Sequence, residues 1–208
     1  GDRFSATSRM EVQNQRKVKM ERFLLFLNPG LEINKLESNG LNIPWHREHQ
    51  VVVIERPLEP GERVDVTMEY AGGIDEDVYQ INLPDEEFFS PVSYTMHIEN
   101  LGSRLAFVSG DFTLLVPEAM WYPMAVSPGG LMASKEMNFT RYTLRVKQPG
   151  NKVVLSQGKT SGDGEYVTFE NRQDLTGISL CIGEFEKRAV TVDSLTVELY
   201  TYPGNDFY

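Results

Sequence analysis

"ERVDVTMEY", residues 62–70, decides the fold. Val64, Val66, Met68 and Tyr70 fall on every second position, with Arg63, Asp65, Thr67 and Glu69 between them. In an extended chain, successive side chains point to opposite faces, so this pattern defines a strand with one buried and one solvated face. The same period returns in "RYTLRVK" (141–147), where Tyr142, Leu144 and Val146 alternate with Thr143, Arg145 and Lys147. It returns again in "SLTVELYTY" (194–202), where Leu195, Val197 and Leu199 share a face. Between such runs lie "SNG" (38–40), "LEPGE" (58–62), "QPGN" (148–151) and "SGDG" (161–164), which supply Gly or Pro where tight turns need them. The two most regular hairpins are expected over 31–54, around Asn39-Gly40, and over 138–157, around Pro149-Gly150.

No stretch carries a helical apolar stripe with caps; the nearest is one turn in "PEAMWY" (117–122). The pattern predicts an all-β fold, a saddle-like or β-sandwich arrangement of roughly a dozen mostly antiparallel strands. An irregular segment with acidic clusters, Pro84 and Pro91 joins two strand-rich halves, 1–82 and 105–208, of a single all-β domain spanning 1–208.

The chain has 208 residues, with Lys+Arg 20 against Asp+Glu 30 and a net charge of -10. Such a charge opposes the phosphate backbone that dominates nucleic-acid affinity, so nucleic acid is excluded as a partner. It also opposes anionic lipid, and "RKVK" (16–19) is too short a basic run to reverse that. No apolar run is long enough to cross a membrane as a helix and no signal-peptide pattern opens the chain. Both ends read as cuts through a longer protein, and membrane contact is expected only through segments outside this sequence. The one cysteine, Cys181 in "GISLCIGEF", permits no internal disulfide and reads as a small buried hydrophobe.

Motifs for chemistry are sparse. His-Glu-x-x-His is absent, and His46 and His49 of "WHREHQ" point to opposite faces of an extended segment, while His97 stands alone. "VSPGG" (126–130) lacks the pattern of a nucleophile elbow and reads as a turn. Asp75, Glu76 and Asp77, like Asp85, Glu86 and Glu87, read as solvated acid rather than a calcium loop. The sequon at Asn138 reads as chance. The stretch "VPEAMWYPMAVSPGG" (116–130) is apolar but full of breakers. Trp121, Tyr122 and Pro123 are expected to form a structural corner, the alternative being a sugar-stacking platform with Trp45.

"VPEAMWYPMAV" (116–126), followed in order by "SQG" (156–158), "VTFE" (167–170), "IGEFE" (182–186) and "VELYTYPGND" (197–206), resembles the aminopeptidase N family of zinc metallopeptidases. The likeness is to the end of the family's amino-terminal, non-catalytic β domain. Upstream, "LNPGLEINKLESNG" (27–40) and "LEPGERVDVTMEYAGGI" (58–74) are similar to that domain's earlier half. The finer likeness is to the bacterial branch in which such a region is fused behind a transporter permease, which implies an extracytoplasmic, membrane-tethered parent. The chain departs from the family in reading "PMAVSPGG" where relatives carry a cysteine and an acid after the proline.

The resemblance implies no cofactor in this chain, with zinc bound only by a catalytic domain outside it. The expected partners are that peptidase domain, in the same polypeptide, and its peptide substrate. It implies no catalytic and no metal-binding residue here. Glu118 is the candidate for holding the substrate's amino terminus across the domain interface. The alternatives are a carbohydrate- or protein-binding β-sandwich, and a structural extracytoplasmic domain of a transporter.

Overall fold

Arg63–Gly72 forms a ten-residue strand in which Val64, Val66, Met68 and Tyr70 are all buried, as the alternation requires. In this computed structural model, residues 3–78, 106–125 and 140–204 are described. The first half contains β1 (Phe4–Gln13), β2 (Phe23–Phe26), β3 (Leu31–Ser38), β4 (Leu41–Asn42), β5 (Trp45–Glu48), β6 (Val51–Ile54) and β7 (Arg63–Gly72). Next come β8 (Ala106–Val108) and β9 (Thr113–Leu115). The remainder is β10 (Thr143–Lys147), β11 (Val153–Ser156), β12 (Lys159–Gly162), β13 (Tyr166–Glu170), β14 (Leu180–Gly183), β15 (Glu186–Val192) and β16 (Leu195–Thr201). The fold is all-β, and every strand pair among the described residues is antiparallel.

β7 lies between β1 and β3 in a sheet of order β1-β7-β3-β4. Its inward residues face Val12, Met10, Ser8 and Ala6 of β1 in register. A slip of one position would expose four apolar side chains and bury Asp65 and Glu69. Each full burial is worth about 1.5–3 kcal/mol, so the register is fixed. A second sheet, β2-β6-β5, adds Phe23, Leu25, Val52 and Ile54 to the same core.

Sheets of order β10-β13-β12 and β11-β14-β9-β8 surround a second core of Ala106, Leu115, Ala119, Trp121, Val154, Phe169 and Leu180. Phe4 and Ile74 pack against both cores. β15 and β16 pair with each other as a two-stranded ribbon. The segment expected to join the halves lies mostly outside the described residues.

Both expected hairpins need correction. Asn39 and Gly40 do make a tight turn, with φ of 52° and 78°, the pair of positive values a two-residue hairpin favours. The ladder, however, lasts only two pairs, Glu37↔Asn42 and Ser38↔Leu41. β3 runs instead along β7, and 45–54 folds into its own hairpin, β5-β6, with His49 at φ 52° in the turn. Around Pro149-Gly150 the chain also turns, with Gly150 at φ 65°. The flanking strands then part: β10 pairs with β13, and β11 with β14. Turn residues fix local dihedrals, but the partner is chosen by packing. Here Leu144 and Val146 of β10 sit opposite Phe169 and Val167 of β13.

The end of β7 passes very close to the start of β3. A Cβ on Gly72 would lie 2.0 Å from the Gly30 carbonyl oxygen, and one on Gly30 would lie 2.3 Å from that of Gly73. Both obstacles are backbone, which cannot swing aside. Gly72→Ala is therefore expected to destabilise the chain by about 2–3 kcal/mol, read as a lowered denaturant midpoint. An unchanged midpoint would show that the two segments separate freely.

Candidate functional site at the aromatic-proline corner

The corner begins where β9 ends. Val116 is extended, Pro117 opens a single 3-10 turn over Pro117–Ala119, and Met120 closes it in the left-handed region at φ 50°. Proline suits this place because its fixed φ fits the first position of a turn and its missing N–H is not needed there. The reversal drives Ala119, Met120 and Trp121 into the interior, where Trp121 is only 4% exposed.

Two aromatic residues then grip the backbone of one residue, Ile178, through both its N–H and its carbonyl. Trp121 Nε1 donates to the Ile178 carbonyl at 3.0 Å, and the Ile178 N–H donates to the Tyr122 hydroxyl at 3.0 Å. The two rings meet edge to face with centroids 5.1 Å apart. The next residue in that segment is held by β11 and the residue after it. Ser156 Oγ donates to the Ser179 carbonyl at 2.7 Å, and the Ser179 N–H donates to Gln157 Oε1 at 3.0 Å. Tyr142 also donates to Gln157 Oε1, at 2.9 Å. Gly177 completes the fit, since a Cβ there would lie 2.3 Å from Pro117 Cγ.

Asn28 ties this corner to the first half. Its Nδ2 donates to the Ala119 carbonyl at 3.0 Å and to that of Asp75 at 2.9 Å. Its Oδ1 accepts from the N–H of Gly30 at 3.0 Å and of Asp75 at 2.8 Å. Its own N–H donates to the Met120 carbonyl at 2.8 Å. Met124 and Phe26 exchange backbone bonds beyond it. The Arg47 guanidinium crosses the same loop, donating to the carbonyls of Leu27, Asn28, Leu31 and His49. Partial burial holds its pKa below the usual arginine value.

The electrostatics single out the phenols. Burial pushes Tyr122 up to about 12, opposed by the Ile178 N–H and reinforced by Tyr142 and Glu118. Burial also raises Tyr70, with Tyr122 adding to it. Glu118 is exposed, on the outer side of a turn whose other residues are locked. A carboxylate so placed can receive a cation such as an ammonium group.

The sequence-predicted residues distribute as follows. Trp121 and Pro123 are buried, Tyr122 is half-buried and Glu118 is exposed. Burial of Trp121 removes it from any sugar platform with Trp45, which is 37% exposed. His46 faces Glu55 at 3.3 Å and Glu48 at 3.5 Å, while His49 sits in the hairpin turn. Among the described residues, no three His, Cys, Asp or Glu side chains come together to hold a metal ion. Burial raises the Cys181 thiol pKa, which keeps it protonated and inert. Asp75 accepts from the Asp77 N–H at 3.1 Å in a local turn. His97, Asp85, Glu86, Glu87, Asn138 and all of "VSPGG" lie outside the described residues.

Sequence reasoning missed Asn28 and Gln157. "LNPG" announces Asn28 only as a turn residue, and nothing local distinguishes Gln157 in "SQG".

No protein family profile and no curated protein sequence matches the chain. Its fold is nevertheless that of a region within M1 zinc metallopeptidase structures. A two-domain M1 zinc metallopeptidase mutant bound to L-tryptophan superposes with a TM-score of 0.65 at 18% identity, covering 99% of this chain and 47% of that one. A mutant of the M1 zinc metallopeptidase from Deinococcus radiodurans, bound to a Tyr-Ser-Ala substrate, gives 0.64 at 19% identity, covering 97% and 46%. The same organism's M1 zinc metallopeptidase gives 0.62 at 20% identity, covering 93% and 42%. The chain thus spans about half the length of the solved structures it matches.

Proposed function

We propose that this chain is the non-catalytic amino-terminal β domain of an aminopeptidase-N-like zinc metallopeptidase. It packs on a catalytic domain in the same polypeptide and walls one side of that domain's substrate cleft. The observation that carries this reading is the extent of the fold match: 99% of this chain corresponds to only 47% of a two-domain zinc metallopeptidase. The order of motifs from "VPEAMWYPMAV" to "VELYTYPGND" supports the same placement. Zinc and the groups that activate water belong to the catalytic domain, outside this sequence.

Glu118 is assigned to the free amino terminus of a peptide substrate. The backbone of the turn that carries Glu118 is fixed by Pro117, Met120 and the Asn28 bond to Ala119, so only the Glu118 side chain itself must be ordered when a ligand arrives. In the complete polypeptide, Glu118→Gln is expected to raise KM about tenfold for peptides with a free amino terminus, with kcat little changed, because an exposed charge contact contributes about equally to substrate and transition state. An amino-blocked peptide is the control. An unchanged KM would sink the assignment of Glu118. Hydrolysis of an amino-acid anilide by the 208-residue chain alone would sink the whole reading.

A further inference from the structure

The β15–β16 ribbon has two unlike faces. On one, Lys187 pairs with Glu198, Tyr200 donates to Glu198 at 2.6 Å, and Thr191 bonds Thr196 at 3.0 Å. That face is polar and satisfied within the ribbon. The register puts Val190 opposite Val197 and Val192 opposite Leu195, with Leu199 opposite Arg188 on the other face. There Val190 is 64% exposed, Val192 62%, Leu195 67%, Val197 60% and Leu199 49%. These five account for most of the exposed large hydrophobics among the described residues. An isolated two-stranded ribbon is at best marginally stable in water, and a contiguous apolar face of this kind marks an interaction surface.

We propose that this apolar face is the surface on which the domain that follows in the same polypeptide docks. The inference rests on the function proposed above, which identifies that domain as catalytic. Three observations select this occupant. The chain leaves the ribbon at the end of β16, so a following domain is tethered beside the face at high effective concentration. More than half the length of each matched structure lies outside the match, so the fold occurs with a further large body beside it. A net charge of -10 opposes a second copy of this chain as the cover. At the base of the ribbon Tyr202 meets Phe185 at a tilt, ring centroids 5.1 Å apart, and Phe112 edge-on at 5.9 Å.

Amide hydrogen exchange over residues 186–201 tests this, compared between the complete polypeptide and the 208-residue chain. Exchange is expected to be at least tenfold slower in the complete polypeptide. A Val190→Asp, Val197→Asp double variant should abolish that protection, and Thr191→Lys on the polar face should leave it. Equal exchange in the two forms overturns the proposal. So does protection in the 208-residue chain that grows with its concentration, which would make a second copy the occupant. Zinc-dependent peptide hydrolysis by the complete polypeptide is scored separately. Hydrolysis with an unprotected ribbon defeats the docking surface alone, whereas a protected ribbon without zinc or hydrolysis defeats the catalytic reading and leaves the docking surface standing.

Discussion

Trp121→Ala is expected to lower the unfolding free energy by about 3–5 kcal/mol, the range for deleting a large aromatic side chain from a core. Three losses combine. The indole leaves a cavity in the second core, where it is 4% exposed beside Ala119, Leu115 and Phe169. The Ile178 carbonyl loses its donor at 3.0 Å. The Tyr122 ring loses the edge contact that orients its hydroxyl toward the Ile178 N–H. Trp121→Phe separates the parts, since it keeps most of the apolar volume and removes the donor. It should cost about 1–3 kcal/mol, the cost of an unsatisfied buried carbonyl. Guanidinium denaturation followed by circular dichroism reads both variants. A loss below about 1 kcal/mol for Trp121→Ala would mean that the corner is not part of the core.

Asn28→Ala is expected to cost about 3–4 kcal/mol, although it removes only a small side chain. Four hydrogen bonds vanish together, two donated by Nδ2 and two accepted by Oδ1. Each buried group left without a partner costs about 1–3 kcal/mol. Asp75 and Gly30 are half-buried, so water relieves part of that. Asn28→Asp is the sharper test, because the two N–H groups can still donate to the carboxylate. A carboxylate oxygen would, however, face the carbonyls of Asp75 and Ala119, where an amide now donates. At neutral pH it should therefore destabilise at least as much as alanine does. If Asn28→Asp were silent, the bond to Ala119 would not be holding the halves together.

These two residues also show what could be read from the sequence. Period two gave the strands, since Val64, Val66, Met68 and Tyr70 are buried where alternation puts them. It was silent on partners. Asn39-Gly40 and Pro149-Gly150 turn the chain as their chemistry requires, yet the strands beyond them join other sheets. Trp121 was legible because a large aromatic among prolines has few places to go other than a core. Asn28 was not, because its value lies in Ala119 and Asp75, which are distant in sequence and bonded only once the chain has folded. The shared face of Leu195, Val197 and Leu199 was visible as a pattern. Alternation reports that a face is apolar, but not whether anything inside the chain covers it.

The pairing of β1 with β7 sets an order of events during synthesis. Residues 4–13 leave the ribosome before their partner, which spans residues 63–72, and Phe4 sits opposite Gly72. No local contact can close this sheet early, because non-local pairing must first overcome the closure of the intervening loop. Phe4 also packs against the second core, whose members extend to Leu180. β1 is therefore paired only after β7 has emerged, and its Phe4 is covered later still, so chaperone capture or misassembly should begin at residues 4–13 rather than at the aromatic corner.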